Sequence, residues 1–265
     1  DVTTLPSGAV VPAPFGRADR TYSDFSPSGV IAFDITDDVN VYAKVATGYQ
    51  TGGFNLTASS LARFSQGFAP EYADSYELGL KSTWLDNRLR VNAALFTTER
   101  KDMQVSVPDP NNLSVTDMFN AGKATINGLE LDVAARPIPA LSLSLAYAWL
   151  DAKFDRITNS LGQDLKHLYN YDQAPPHKAS ATVEYDWPQT GFGQPKASVT
   201  YGYQSKMDAS TTIGAVIGSY GLLDARVSLA EIPVANSKLR FSLWGRNLTD
   251  EEYYTFHFIY VVPTA

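Results

Sequence analysis

The chain has 265 residues, and its 21 Lys and Arg against 28 Asp and Glu give a net charge of −7. That balance excludes a non-specific nucleic-acid binder, which needs a basic face to displace counterions from phosphates. Cysteine is absent, which removes disulfide frameworks, thiolate zinc sites and cysteine nucleophiles together. The 15 Tyr, 13 Phe and 4 Trp, set among many Ser, Thr, Ala and Gly, favour extended structure, and no run reaches the roughly 20 apolar residues of a membrane helix.

In chain order, Asp1-Val2-Thr3-Thr4 has neither the basic region nor the apolar core of a signal peptide. Residues 1–25 predict an extracellular loop or irregular lead-in. Period-2 alternation then predicts ten strands, at Pro27–Ile35, Val39–Gln50, Ser75–Leu85, Arg88–Val105, Ala124–Arg136, Leu141–Lys153, His177–Trp187, Lys196–Ser205, Tyr220–Ala230 and Leu239–Asn247. From Leu141 onward, Leu141, Leu143, Leu145, Tyr147 and Trp149 share one face, and Ser142, Ser144, Ala146 and Ala148 the other. The first face suits hydrocarbon, with Tyr147 and Trp149 at headgroup level. The same split sets Leu78, Leu80 and Trp84 against Glu77, Gly79 and Lys81, and Leu129, Leu131 and Val133 against Glu130 and Asp132. Alternation alone fits a soluble sandwich as well as a barrel.

The gaps between strands are more discriminating. Short ones carry turn formers, as in Thr36-Asp37-Asp38, Asp86-Asn87 and Pro137-Ile138-Pro139-Ala140. They alternate with long gaps at Thr51–Asp74, Ser106–Lys123, Phe154–Pro176 and Lys206–Ser219. This rhythm predicts an all-β, antiparallel, up-and-down transmembrane barrel, with tight periplasmic turns at one rim and long extracellular loops at the other. The competing readings are a soluble β-sandwich or surface-binding module, and an outer-membrane porin or hydrolase.

Five ordered blocks carry a resemblance. They are Ser26-Pro27 with Thr36-Asp37-Asp38 through Tyr42, Gly48 and Tyr49; Pro70-Glu71 with Tyr76-Glu77-Leu78-Gly79-Leu80-Lys81; Arg88-Leu89-Arg90-Val91-Asn92-Ala93-Ala94-Leu95-Phe96; Asn120-Ala121-Gly122-Lys123-Ala124 through Gly128-Leu129-Glu130; and Trp244-Gly245-Arg246-Asn247-Leu248-Thr249-Asp250-Glu251-Glu252-Tyr253-Tyr254. In this order they resemble the barrel strands of TonB-dependent outer-membrane receptors. The resemblance implies that 26–254 is the C-terminal half of such a barrel, without the plug domain and the final strand, and that 255–265 is a truncated last extracellular loop. It further implies outer-membrane lipid, the remainder of the barrel, the plug, the TonB complex acting through that plug, and a small-molecule substrate as partners. A ferric siderophore leads among substrates, ahead of cobalamin or an oligosaccharide, and the location implied is the outer membrane of a Gram-negative bacterium.

The candidate residues fall into two groups. Inward charges, Lys44, Glu77, Lys81, Arg240 and Arg246, with Glu130, Asp132 and Arg226 beside them, would contact the plug or line the lumen, and a merely solvated wall is the plainer alternative. Loop residues Tyr49, Gln50, Phe54, His167, Tyr169, Tyr171 and His257 would hold a substrate by stacking and hydrogen bonding, against the alternative of an interfacial aromatic girdle. His167, His177 and His257 lack ligand spacing, so neither a metal nor a cofactor is expected. No Gly-x-Ser-x-Gly elbow occurs, so no catalytic residue and no enzyme activity are expected.

Overall fold

The computed structural model describes residues 2–4, 10–12, 17–56, 58, 60–109, 112–158, 162–210 and 215–256. Ten strands form one antiparallel sheet: β1 Ser28–Thr36, β2 Val39–Gln50, β3 Glu71–Trp84, β4 Leu89–Asp109, β5 Asn112–Ile138, β6 Leu141–Ile157, β7 His177–Asp186, β8 Gln194–Gln204, β9 Tyr220–Val234 and β10 Ser237–Gly245. Their order in the sheet is their order in the chain, as an up-and-down meander requires. Among the described residues the sheet runs from β1 to β10 without closing. Within the predicted lead-in, Val2–Thr4 pairs with Val10–Pro12 as a separate small hairpin.

All ten predicted strands are present, and β2 has the predicted bounds. The segment Ser106–Lys123 departs from expectation. Instead of a long loop, β4 continues to Asp109 and β5 begins at Asn112. The 21 and 27 residues of these strands far exceed the roughly 9–11 that a bilayer-crossing strand needs, so the pair extends well beyond that length.

Register identifies the two faces. Asn40, Lys81, Asn92, Asp132, Ala146, Ser180, Gly202 and Leu222 are successive cross-strand partners from β2 to β9. A line on the opposite face joins Ala43, Leu78, Leu95, Leu129, Trp149 and His177. Leu78 is 63% and Leu95 55% exposed. An apolar sheet face left this open is unfavourable in water and is the expected wall in hydrocarbon. On the polar face, Tyr42 lies across Gly79, where a Cβ would stand 2.1 Å from the ring, and its hydroxyl donates to Glu77 Oε1 at 2.5 Å. Gly79 thus permits an aromatic ring to lie flat against the inner wall.

The buried apolar cluster sits at the long-loop end of the sheet. Met103, Val105, Ala124, Phe154, Ile157 and Tyr169 form it, with Phe119, Leu165 and Tyr171 packed against them. A β-bulge makes this possible. The register slips between Arg100 and Met103, and Asp102 takes φ 52°, so Met103 turns to the side that Ala124 and Phe154 hold by simple alternation.

Candidate functional site

Counting by twos from the inward Glu77 places Ser75, Ala73 and Glu71 on the lumen side of β3. Glu71 pairs in register with Gln50, and Arg100 on β4 stands opposite Ala73. These residues meet at the long-loop end of the inward face. The Arg100 guanidinium donates from Nε to Glu71 Oε1 at 2.7 Å and from Nη1 to the Tyr171 hydroxyl at 2.7 Å. Glu71, only 5% exposed, also accepts the Gln104 backbone N–H at 3.0 Å on its second oxygen. With its charge-assisted partners it is a satisfied buried carboxylate.

Two amides hold the β2–β3 loop against this group. Gln104 Nε2 donates to Thr51 O at 2.9 Å and to Ala69 O at 3.1 Å, and its Oε1 accepts from Gln50 Nε2 at 3.3 Å. Asn120 accepts from Ala69 N at 2.6 Å and donates to Ala69 O at 2.7 Å and Asp102 O at 2.8 Å. The loop carries a short helix, α1 Leu61–Gln66, capped by Ser60 and ended at Gly67 with φ 61°. Arg63 from α1 lies 4.0 Å above the Phe119 ring and 3.5 Å from Asp117, which ties the helix to the β5 extension.

The β6–β7 loop meets this group through Tyr171. Asn170 donates to Asp208 at 3.2 Å, and Gln173 bonds Asp208 and Ala209 through its backbone and side chain. Burial pushes the Tyr169 hydroxyl up in pKa. Burial is also the main cause that raises Asp172. A backbone hydrogen bond opposes that rise and the nearby Asp208 charge adds to it.

Of the seven loop candidates, Gln50 and Tyr171 join the Arg100–Glu71 group. Tyr169 lies in the apolar cluster. Phe54 packs on Phe64 at 5.6 Å with the Arg20 guanidinium 5.9 Å away. His167 is exposed in the 3-10 turn Lys166–Leu168. Tyr49 stands opposite Tyr72 on the outward face, and His257 lies outside the described residues. Among the wall candidates, Lys44 faces Glu77 across β2 and β3, and the Lys81 ammonium lies 5.4 Å from the Tyr42 ring. Arg240 is exposed on β10, and Arg246 occupies the bend after it. Among the described residues, no three His, Asp or Glu gather closely enough to hold a metal.

Glu71, Arg100, Gln104 and Asn120 were not among the sequence candidates. Glu71 and Asn120 stand in the quoted motif blocks, and the period-2 count gives the face of Glu71. Its pairing with Arg100 depends on the β3–β4 register and the bulge at Asp102, which no local pattern announces.

The signature around Asn247 proves to be a turn. Asn247 accepts the Glu251 N–H at 2.9 Å and donates to the Glu251 carbonyl at 2.9 Å. Its own N–H bonds Asp224 at 2.8 Å, and Leu248 N–H extends the ladder to Leu223 O at 2.7 Å. Asn247 and Asp250 adopt φ 48° and 54°, which Asn and Asp tolerate better than most residues.

A family model described as "TonB dependent receptor-like, beta-barrel" matches residues 1–248. The chain is 28% identical over 236 residues to the probable TonB-dependent siderophore receptor PiuA of Acinetobacter baumannii, covering 85% of this chain and 30% of that protein. It is 27% identical over 256 residues to the pesticin receptor of Yersinia pestis, covering 95% and 35%. The crystal structure of the ferric yersiniabactin uptake receptor FyuA from Yersinia pestis matches with a TM-score of 0.71 at 23% identity, over 88% of this chain and 33% of that one. The chain therefore spans about a third of the length of these relatives. It belongs to the TonB-dependent receptors and supplies strands of the β-barrel by which they sit in the outer membrane of Gram-negative bacteria.

Proposed function

We propose that the chain is part of a receptor that imports a ferric siderophore, with Arg100 and Tyr171 among the groups that meet the substrate at the extracellular mouth. The observation that carries this reading is the inward Arg100–Glu71–Tyr171 group at the top of a polar wall. Iron chelates present anionic or strongly accepting oxygens, and a guanidinium with a phenol beside it offers directed donors to such oxygens. The names of PiuA and FyuA, matched across most of this chain, point to the same substrate class. Gln50 lies in the same hydrogen-bonded group, while Tyr49, Phe54, His167 and Tyr169 shape the surrounding loops. Lower on the wall, Lys44, Glu77, Lys81 and Arg240 are proposed contacts for a plug domain through which the TonB complex would act. The family is one of receptors, and the proposed role of this part is binding and passage without covalent chemistry.

The test uses the intact receptor in an iron-starved host. Arg100→Ala should weaken ferric-siderophore binding by about tenfold, or about 1.4 kcal/mol, with Arg100→Lys intermediate because a point charge replaces the fork. Unchanged binding of every ferric siderophore that supports growth would remove Arg100 from the site.

A further inference from the structure

β6 outruns its neighbour on one side. It pairs with β5 as far as Ile157, but its pairing with β7 ends at Trp149 and His177. Beyond that point the β6–β7 loop touches the same edge at two places, where Leu150 N–H donates to the Pro176 carbonyl at 2.9 Å and Leu165 N–H to the Ile157 carbonyl at 2.7 Å. In an antiparallel sheet alternate residues of a strand turn their N–H and C=O to the same neighbour, so Ala152 and Phe154 follow Leu150 in facing away from β5. Among the described residues, no protein group bonds their backbone on that side. Phe154 is 7% exposed, and a backbone donor and acceptor so buried are costly to leave unmet.

The open edge is one wall of a cavity. Residues 150–154 all line a hollow of about 580 Å³, and since side chains of a strand alternate between faces, an unbroken run of this kind shows that the hollow follows the strand edge. The β6–β7 loop and residues 205–208 after β8 form the facing walls. That volume suits a small ligand or part of one. Lys153 in the lining is paired with Asp151 at 2.8 Å, and Asp208 accepts from Asn170 at 3.2 Å. Lys166 and Lys206 also line the hollow, and among the described residues they enter no ion pair. Tyr171 is a further lining residue, and its hydroxyl is the one that Arg100 Nη1 reaches at 2.7 Å, so the hollow adjoins the Arg100–Glu71 group.

We propose that this edge binds a peptide arm of the ferric chelate by adding it to the sheet as a short extra strand, so that the substrate is a siderophore built in part from amino acids. The proposal rests on the receptor reading above, with the iron-bearing head at Arg100 and Tyr171 and the arm running along β6. Ala152 and Phe154 present two N–H and two C=O groups about 6.8 Å apart along the strand. They call for a ligand that alternates donors and acceptors at that spacing, which an extended polyamide does and a hydrocarbon or polyether arm does not. Lys166 and Lys206 suit a carboxylate on the arm.

The experiment uses the intact receptor in detergent and three ferric heads, a trihydroxamate, a triscatecholate and citrate. Each head carries in turn a short acidic peptide arm, the same arm with its amides N-methylated, or a polyether of equal length. On a head that binds, the peptide arm should tighten binding about tenfold over the polyether, and N-methylation, which removes the donors, should abolish that gain. Hydrogen exchange at Ala152 and Phe154 should slow about tenfold with the peptide arm alone. Ala152→Pro deletes a donor that the β5 ladder does not use and should remove the gain, while the polyether form binds as it does to wild type. Heat-dependent electrophoretic mobility verifies that this variant forms its barrel, and Lys166→Gln/Lys206→Gln, which should lower the gain about threefold, serves if it does not. Equal affinity for all arms, a gain that survives N-methylation, or unchanged exchange along the edge would overturn the peptide site alone. Failure of every head to bind with any arm would overturn the receptor reading with it.

Discussion

Along the middle of β4, β5 and β6, Leu95, Leu129 and Trp149 stand on the outer face as cross-strand partners with no layer packed over them. A few residues further along the same strands, Met103, Ala124 and Phe154 turn to the inside and meet Ile157 and Tyr169 in a buried cluster. One set of strands thus follows two opposite rules. In the lower part the hydrocarbon is the apolar partner, and the inner side is polar because it faces water or protein. In the upper part water surrounds the strands, and the chain needs a core of its own. The bulge at Asp102 marks this change on β4: without the extra residue, Met103 would point outward with Lys101.

Removing part of the upper core should give the largest effect. Ile157 is fully buried, and Ile157→Ala should cost about 2–5 kcal/mol. The loss should appear as faster hydrogen exchange in the β4–β5 extension and the β6–β7 loop, with the lower wall unaffected. An equal loss in the lower wall would show that the two regions are one cooperative unit.

The converse substitution is Leu129→Arg, on the outer line. It should destabilise the intact receptor by about 2–4 kcal/mol in lipid, since a charge there enters hydrocarbon. Denaturant titration in liposomes reads it, and an unchanged midpoint would place Leu129 outside the bilayer. A smaller effect is expected at the signature turn, where Asn247→Ala removes the two hydrogen bonds to Glu251 and should cost about 1 kcal/mol. Exchange at Leu248 and Glu251 amides should rise while β9 stays protected.

The smallest effect is set by pH. Burial raises the Asp172 pKa above its ordinary carboxylate value, so the folded loop holds this proton more tightly than the unfolded one. Its contribution is present below the ordinary carboxylate range and is lost as pH rises through the elevated value. Protection of the β6–β7 loop should therefore increase on acidification through that window, and Asp172→Asn should remove the dependence. A wild-type loop whose protection is flat across the window would show that Asp172 is not buried there.

The ten strands were legible because each has a period-2 pattern strong enough to read locally, as in Leu141 to Trp149. The shared face of Lys44, Glu77 and Lys81 was legible for the same reason, whereas Arg246 lies in the bend after the last strand. The extent of β4 and β5 was not legible. Gln104-Val105-Ser106 alternates like a strand, but the sequence between there and Lys123 is polar enough to pass for a loop. Its pairing depends on Met103 and Val105 finding Phe154 and Tyr169 from another part of the chain. The clasp of Glu71, Arg100 and Tyr171 was hidden for a related reason, since its members are separated by 29 and 71 residues and no local pattern links them.

The amino-acid sequence alone determined the class of architecture, the strand count, the two faces and the family, because alternation and turn chemistry act within a few residues of each position. Only the tertiary structure decided the edge of β6 that β7 leaves unpaired beyond Trp149, the bulge that folds Met103 inward, and the long-loop end where Arg100 meets Glu71 and Tyr171. Those features depend on pairing between distant segments, where a shift of one residue moves every side chain to the opposite face.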